Sequence, residues 1–172
     1  MTSDLTHSNL VAIGLQNPKS ASNVASILRA SGCYGVSSVF YSGNRYRYAK
    51  EFNADTQKMH QKIPTVGVDD LLAMTPKGAK RVVVELVEGA VPLPDYQHPD
   101  NVYYMFGPED ASVSPDILEA ADDVVYIPTN GSMNLAATVN VVLYDRLAKS
   151  QTFDRSLALI KHSRDKNNQL KV

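Results

Sequence analysis

The sequence predicts an α/β fold, a mainly parallel sheet flanked by helices. Three observations carry this. Short β-rich runs alternate with stretches of helical apolar spacing along most of the chain. Two runs, Arg81–Val87 and Val102–Phe106, are nearly continuous in apolar residues, as strands covered on both faces by helices are. The first strand, helix and second strand fit within about thirty residues, the length of a βαβ unit.

In order, Leu10–Leu15 reads as a buried strand and Asn17–Asn23 as a polar loop. Val24–Ser31 is a helix, because Val24, Ile27 and Leu28 fall at helical spacing, and Gly32 is placed to end it. Gly35–Tyr41 is the second strand. The segment Tyr41–Lys62 then breaks the pattern, with Arg45, Arg47, Lys50, Lys58 and Lys62 set among Tyr41, Tyr46, Tyr48 and Phe52. Cations neutralise phosphates and aromatic faces stack on bases, so Arg45, Arg47 and Lys50 are candidate nucleic-acid contacts. The alternative is a solvated, partly helical surface whose aromatics pack on the sheet.

Ile63–Val68 is a short strand and Asp69–Met74 a short helix before Pro76. Arg81–Val87 is a central strand, Glu88–Pro99 a Pro-rich loop, and Val102–Phe106 a strand that ends in Gly107-Pro108-Glu109-Asp110. Pro115–Ala121 is a short helix with Pro in its first turn. Asp123–Ile127 is the last strand. Met133–Lys149 is a helix with Leu135, Val139, Val142 and Arg146 on one face. From Phe153 the tail, residues 151–172, begins as an amphipathic helix with Leu157 and Ile160 and ends charged and frayed.

At 172 residues the chain is expected to be a single domain with a sizeable core. A net charge of -1 excludes a polycation, so any contact with nucleic acid must come from local clusters. Cys33 is the sole cysteine, which rules out an intrachain disulfide and fits a reducing, cytoplasmic setting. No Cys/His cluster has metal-ligand spacing, no apolar run is long enough to span a bilayer, and His7, His60, His98 and His162 are scattered. Neither a metal nor a membrane is expected. No G-x-G-x-x-G follows the first strand, which argues against a dinucleotide fold.

The stretch Ile127-Pro128-Thr129-Asn130-Gly131-Ser132-Met133-Asn134-Leu135-Ala136 packs a strand end, a polar turn and a helix start into ten residues. Asn130-Gly131 is a turn dipeptide, and Ser132 is a candidate helix cap. Ligands of open α/β sheets sit at the carboxyl ends of strands, so a site is expected here.

Three segments resemble a known family. Asn23-Val24-Ala25-Ser26-Ile27-Leu28-Arg29 is similar to the first motif of the SpoU (TrmH-like) branch of the SPOUT RNA methyltransferases. Met105-Phe106-Gly107-Pro108-Glu109 is similar to the second, and Ile127-Pro128 followed by Ser132-Met133-Asn134-Leu135 to the third. Glu85-Leu86-Val87-Glu88-Gly89-Ala90 also looks like the family, and the resemblance runs from Leu10 to Lys149. There are departures. The first loop has two extra residues between Asn17-Pro18 and Asn23, Ser112 stands where Gly is usual, and Ala25 replaces another Gly.

The resemblance implies methyl transfer from S-adenosylmethionine to a ribose 2′-hydroxyl of RNA, with tRNA and its anticodon-loop wobble ribose favoured over rRNA. It implies a trefoil knot over roughly residues 81–150, which threads Met133–Lys149 through the preceding loop. It implies a homodimer with the last helix and the first-motif helix at the interface; the last helix offers Val139, Val142, Leu143 and Leu147, each of which reads equally well as monomer core. By the same resemblance the catalytic set is Arg29, Asn23, Glu109, Ser132 and Asn134, and the cofactor is held at Leu86, Phe106, Gly107, Ile127, Met133 and Leu135. Arg29 is the family's candidate base, yet a guanidinium is almost never deprotonated, so orienting a phosphate or ribose is its alternative role. Asn23, Ser132 and Asn134 read otherwise as helix-start residues, and Glu109 as a carboxylate on a helix dipole. Two further readings stay open: a non-catalytic RNA-binding relative and an unrelated nucleotide-binding α/β protein.

Overall fold

The computed structural model describes residues 9–52, 62–151, 153–165, 167–168 and 170–171, with backbone alone at 49–52. Lys58, His7 and His60 lie outside the described residues, as does the side chain of Lys50.

Seven strands form one sheet: β1 (Val11–Leu15), β2 (Ser38–Tyr41), β3 (Thr65–Gly67), β4 (Lys80–Val84), β5 (Val91–Pro92), β6 (Val102–Phe106) and β7 (Asp123–Tyr126). Their order is β3-β2-β1-β6-β4-β7-β5, and every pairing is parallel. Among the described residues the α-helices are α1 (Ala21–Cys33), α2 (Arg45–Phe52), α3 (Pro115–Glu119), α4 (Leu135–Lys149) and α5 (Leu157–Ser163). β6 is buried along its whole length between two apolar clusters. Tyr104 and Phe106 point to the side of Val24, Ile27, Val139 and Val142, while Tyr103 and Met105 point to the side of Leu71, Val113 and Ile117. That two-sided burial is why the run shows no alternation.

Several element boundaries depart from the sequence reading. α1 starts three residues early and runs past Gly32 to Cys33, because Ser20 caps it by accepting from the Asn23 N–H. Asn23 therefore sits within the first turn of the helix. α4 begins at Leu135 and is capped by Asn134, not Ser132, since Asn134 Oδ1 accepts from the Ala136 and Ala137 N–H groups at 2.9 and 3.3 Å. β4 stops at Val84, and the Pro-rich loop contains β5 and a 3₁₀ turn at Leu93–Asp95. Three of the four residues offered for a dimer contact, Val139, Val142 and Leu143, are monomer core. Only Leu147 remains exposed, with Tyr144 beside it on α4.

The face of α4 that carries Arg146 is tied to the Pro-rich loop. Arg146 donates to the carbonyls of Pro99 and Asp100, and Lys149 to those of Leu93 and Tyr96. Cations in the last turn also suit the helix dipole. Buried His98 bridges the Tyr104 hydroxyl and the Asp145 carboxylate, so it is structural. Burial pushes its pKa below the ordinary value, against the pull of Asp145. α5 buries none of its side chains, and Leu157 and Ile160 face solvent. Among the described residues no helix is long and apolar enough to cross a membrane, and no His/Cys/Asp/Glu cluster could hold a metal.

Candidate active site

Three adjacent strands, β6, β4 and β7, end side by side, and the turns that leave them enclose a cleft of about 170 Å³. All six residues expected to hold a cofactor line it: Leu86, Phe106, Gly107, Ile127, Met133 and Leu135. Glu109 and Ser132 line it as well. Leu86 is 58% exposed there, an apolar side chain left facing an open cleft. The walls combine apolar side chains with the hydroxyl residues Tyr126, Thr129, Ser132 and Thr138, and Glu85 and Glu109 line them too. This combination suits a ligand with a flat apolar ring, hydrogen-bonding edges and a positive charge.

Beside the cleft, residues of all three motifs join in one hydrogen-bonded chain. Glu109 Oε1 accepts from Asn23 Nδ2 at 3.0 Å, and Asn23 Oδ1 accepts from Asn134 Nδ2 at 3.0 Å. The amide orientations follow from the chemistry. An ionised carboxylate only accepts, so Asn23 must turn its NH₂ to Glu109 and its oxygen to Asn134. Asn134 then has its own oxygen left to cap α4.

Glu109 is held further by the Lys19 N–H on Oε2 at 2.8 Å and the Ser20 N–H on Oε1 at 3.0 Å. It occupies the N-terminus of α1, where a negative charge is favoured. The longer first loop thus supplies both backbone donors. Burial works against ionisation of Glu109, but the bonds from Asn23, Lys19 and Ser20 outweigh it and hold the pKa below the ordinary carboxylate value.

Arg29 is exposed on α1, and Ser132 is exposed in the turn before α4. Neither Arg29, Asn23 nor Asn134 lines the cleft itself. In the basic segment, Tyr46 is buried edge-on against Tyr41, whereas Arg47 and Tyr48 face solvent. Arg45 donates through both terminal nitrogens to Asp110 Oδ1, at 2.9 and 3.0 Å.

Two features escaped the sequence reading. Glu85, a lone carboxylate in an apolar run, accepts from the Val113 N–H at 3.0 Å and fastens the loop that carries Ser112. Gly107 serves that same loop. A Cβ there would lie 2.9 Å from the Val113 nitrogen and 3.2 Å from the Ser112 carbonyl carbon, so glycine permits the close backbone approach.

The chain is similar to several characterised proteins. It is 27% identical over 136 residues to the tRNA (guanosine(18)-2′-O)-methyltransferase of Aquifex aeolicus, which covers 75% of this chain and 64% of that relative. The chain thus spans a little under two thirds of that relative's length. The crystal structure of the A. aeolicus TrmH/SpoU tRNA modifying enzyme superposes with a TM-score of 0.69 at 26% identity, over 80% of this chain and 74% of that one. A structure described under the 2-OH methylation of C/U34 on tRNA also gives 0.69, at 19% identity, over 80% of this chain and 94% of that one. The sequence profile of the SpoU rRNA Methylase family matches residues 10–144, and with the motifs meeting as they do, the chain belongs to that family.

Proposed function

We propose that the protein transfers a methyl group from S-adenosylmethionine to a ribose 2′-hydroxyl of RNA, with tRNA as the substrate and the anticodon-loop wobble ribose as the favoured position. The observation that carries this is the chain Glu109–Asn23–Asn134 set beside a cleft lined by all six expected cofactor residues. The relatives' names point to 2′-O-methylation of tRNA, at guanosine 18 in one and at C/U34 in another, and the match to the C/U34-related structure over 94% of its length supports the wobble ribose. The family description favours rRNA as the second reading.

The cofactor supplies a methyl group on a positively charged sulfur. Leu86, Ile127, Met133 and Leu135 would hold its apolar parts, and the backbone at Phe106 and Gly107 its polar edges. Glu109 has three N–H donors on its two oxygens and stays ionised, so it acts as a positioning residue. Asn23 and Asn134 fix α1 against α4 at the reacting face. Arg29 would bind the phosphate beside the target ribose through its planar fork. Ser132 offers a hydroxyl at the cleft wall. Positioning of donor and acceptor is the largest expected contribution to rate, up to ~7–11 kcal/mol.

Assembly belongs to the same reading. We take the protein to be a cytoplasmic homodimer of single-domain chains, with the family's knot over residues 81–150. Tyr144 and Leu147 are the exposed apolar residues of α4 that a second copy would cover. Arg45, Arg47 and Lys50 would gather RNA from each copy, helped by Arg155, Lys161 and Arg164 on the tail.

Mass mapping of ribose methylation in total RNA, with and without the protein, tests the activity. A gained 2′-O-methyl at a tRNA wobble position is expected; a gain confined to rRNA would favour the second reading, and no gain would refute both. Gly107→Val tests the cleft. A branched side chain there must push back the Ser112–Val113 backbone, and such overpacking costs enough to weaken cofactor binding ~10-fold or more by calorimetry. Unchanged affinity in a folded variant would remove the cleft from the reading.

A further inference from the structure

Asp110 lies at the meeting of three segments. Its Oδ1 takes both terminal nitrogens of Arg45 from α2, and its Oδ2 faces Lys19 Nζ, from the first loop, at 3.8 Å. It directly follows Glu109, whose carboxylate holds the backbone of Lys19 and Ser20. All three side chains are open to solvent, 66% for Lys19, 49% for Asp110 and 34% for Arg45. The guanidinium meets one carboxylate oxygen end-on instead of pairing fork to fork, so its full bidentate geometry is unused. A singly charged group with two acceptor oxygens, set between two cations at the edge of a ribose-modifying site, has the charge and donor demand of a phosphodiester.

We propose that Lys19 and Arg45 form a seat for a backbone phosphate of the RNA, and that Asp110 fills this seat in the free protein and is displaced when RNA binds. The inference rests on the RNA reading above and adds an internal competitor to it. Stray polyanions must first evict Asp110, whereas an RNA that makes the remaining contacts can do so. Arg45 is therefore a contact held in reserve, and Lys19 joins it although the sequence reading did not single it out.

The test is a coupling measurement on the whole protein. Affinity for bulk tRNA is measured by fluorescence anisotropy across a salt series for the parent, Asp110→Asn, Arg45→Ala and the double variant, with cofactor calorimetry as the control for folding. Asp110→Asn should tighten RNA binding about 2–5-fold, the scale of an exposed ion pair. Arg45→Ala should weaken it and lower the slope of log K against log salt by about 1. In the double variant the gain from Asp110→Asn should shrink, because only Lys19 is left to release. A gain that is undiminished without Arg45 would be a general charge effect and would overturn the seat, as would weaker or unchanged binding by Asp110→Asn. Asp110→Ser serves as a second neutral variant should Asn disturb the loop. If the parent binds tRNA and methylates it but these signs are absent, only the seat fails. If the parent neither binds nor methylates RNA, the underlying reading fails and the seat with it.

Discussion

Arg29→Ala is expected to lower kcat/KM for methyl transfer to tRNA by ~10²–10⁴-fold, the range spanned by a lost proton-transfer or charge-stabilising group. Stability and cofactor affinity should stay close to the parent's. Arg29 is exposed on α1, Ala is the best helix former, and the cleft is lined without Arg29. Arg29→Lys separates charge from shape. Lysine restores one positive charge but not the planar fork, so little activity should return. Steady-state and single-turnover methyl transfer, read beside calorimetry with S-adenosylmethionine, provide the check. Near-normal turnover in either variant would take Arg29 out of the mechanism.

Glu109→Gln should damage both the fold at the site and the reaction. Three N–H groups converge on the carboxylate, two on Oε1 and one on Oε2. Whichever way the amide turns, its NH₂ faces at least one of these donors. Hydrogen bonds to charged groups are worth ~1.5–3 kcal/mol, and partial access to water reduces the loss, so a cost of ~1–3 kcal/mol is expected. For a chain of this size that is a fall in Tm of ~2–4 °C per kcal/mol. Activity should fall further than stability, because Asn23 loses the partner that fixes its amide and with it the link to Asn134.

The same carboxylate gives the parent a pH signature. Its pKa is lower in the folded state than in the unfolded chain. Its contribution to stability is therefore fully present above the ordinary carboxylate value, near ~4.3, and is lost as pH falls through the lower folded value. Urea unfolding at pH 7 and in the acid range, parent against Glu109→Gln, should show the gap between them closing as the parent's carboxylate protonates. A constant gap would mean that the ionised form is not what α1 holds.

All the strands but β5, their parallel pairing and a cleft at the strand ends were legible in the sequence because each rests on local pattern. Val102–Phe106 is apolar throughout and ends at Gly107, and Ile127 is followed by a turn, so the strand ends announced the cleft. The helix starts were less legible, since Ser20, Asn23, Ser132 and Asn134 are all competent caps and tertiary bonds decided among them. Asn23 spends its amide on Glu109 and Asn134, which leaves the cap of α1 to Ser20. The dimer face misled for a related reason. Apolar residues at helical spacing on α4 serve the monomer core as well as any interface, and the packing against α1 claims Val139, Val142 and Leu143. Arg45 could not be read at all as an ion-pair partner, because Asp110 is 65 residues away and nothing local marks the pairing.

The chain Glu109–Asn23–Asn134 spans sequence separations of 86 and 111 residues. On a ribosome that adds ~5–20 residues per second, Asn23 is synthesised at least ~5 s before Asn134. The proposed reacting face is thus completed late in the life of the nascent chain. Any molecule in which α4 has not docked lacks the face altogether, so activity per molecule reports on the fraction that has finished folding.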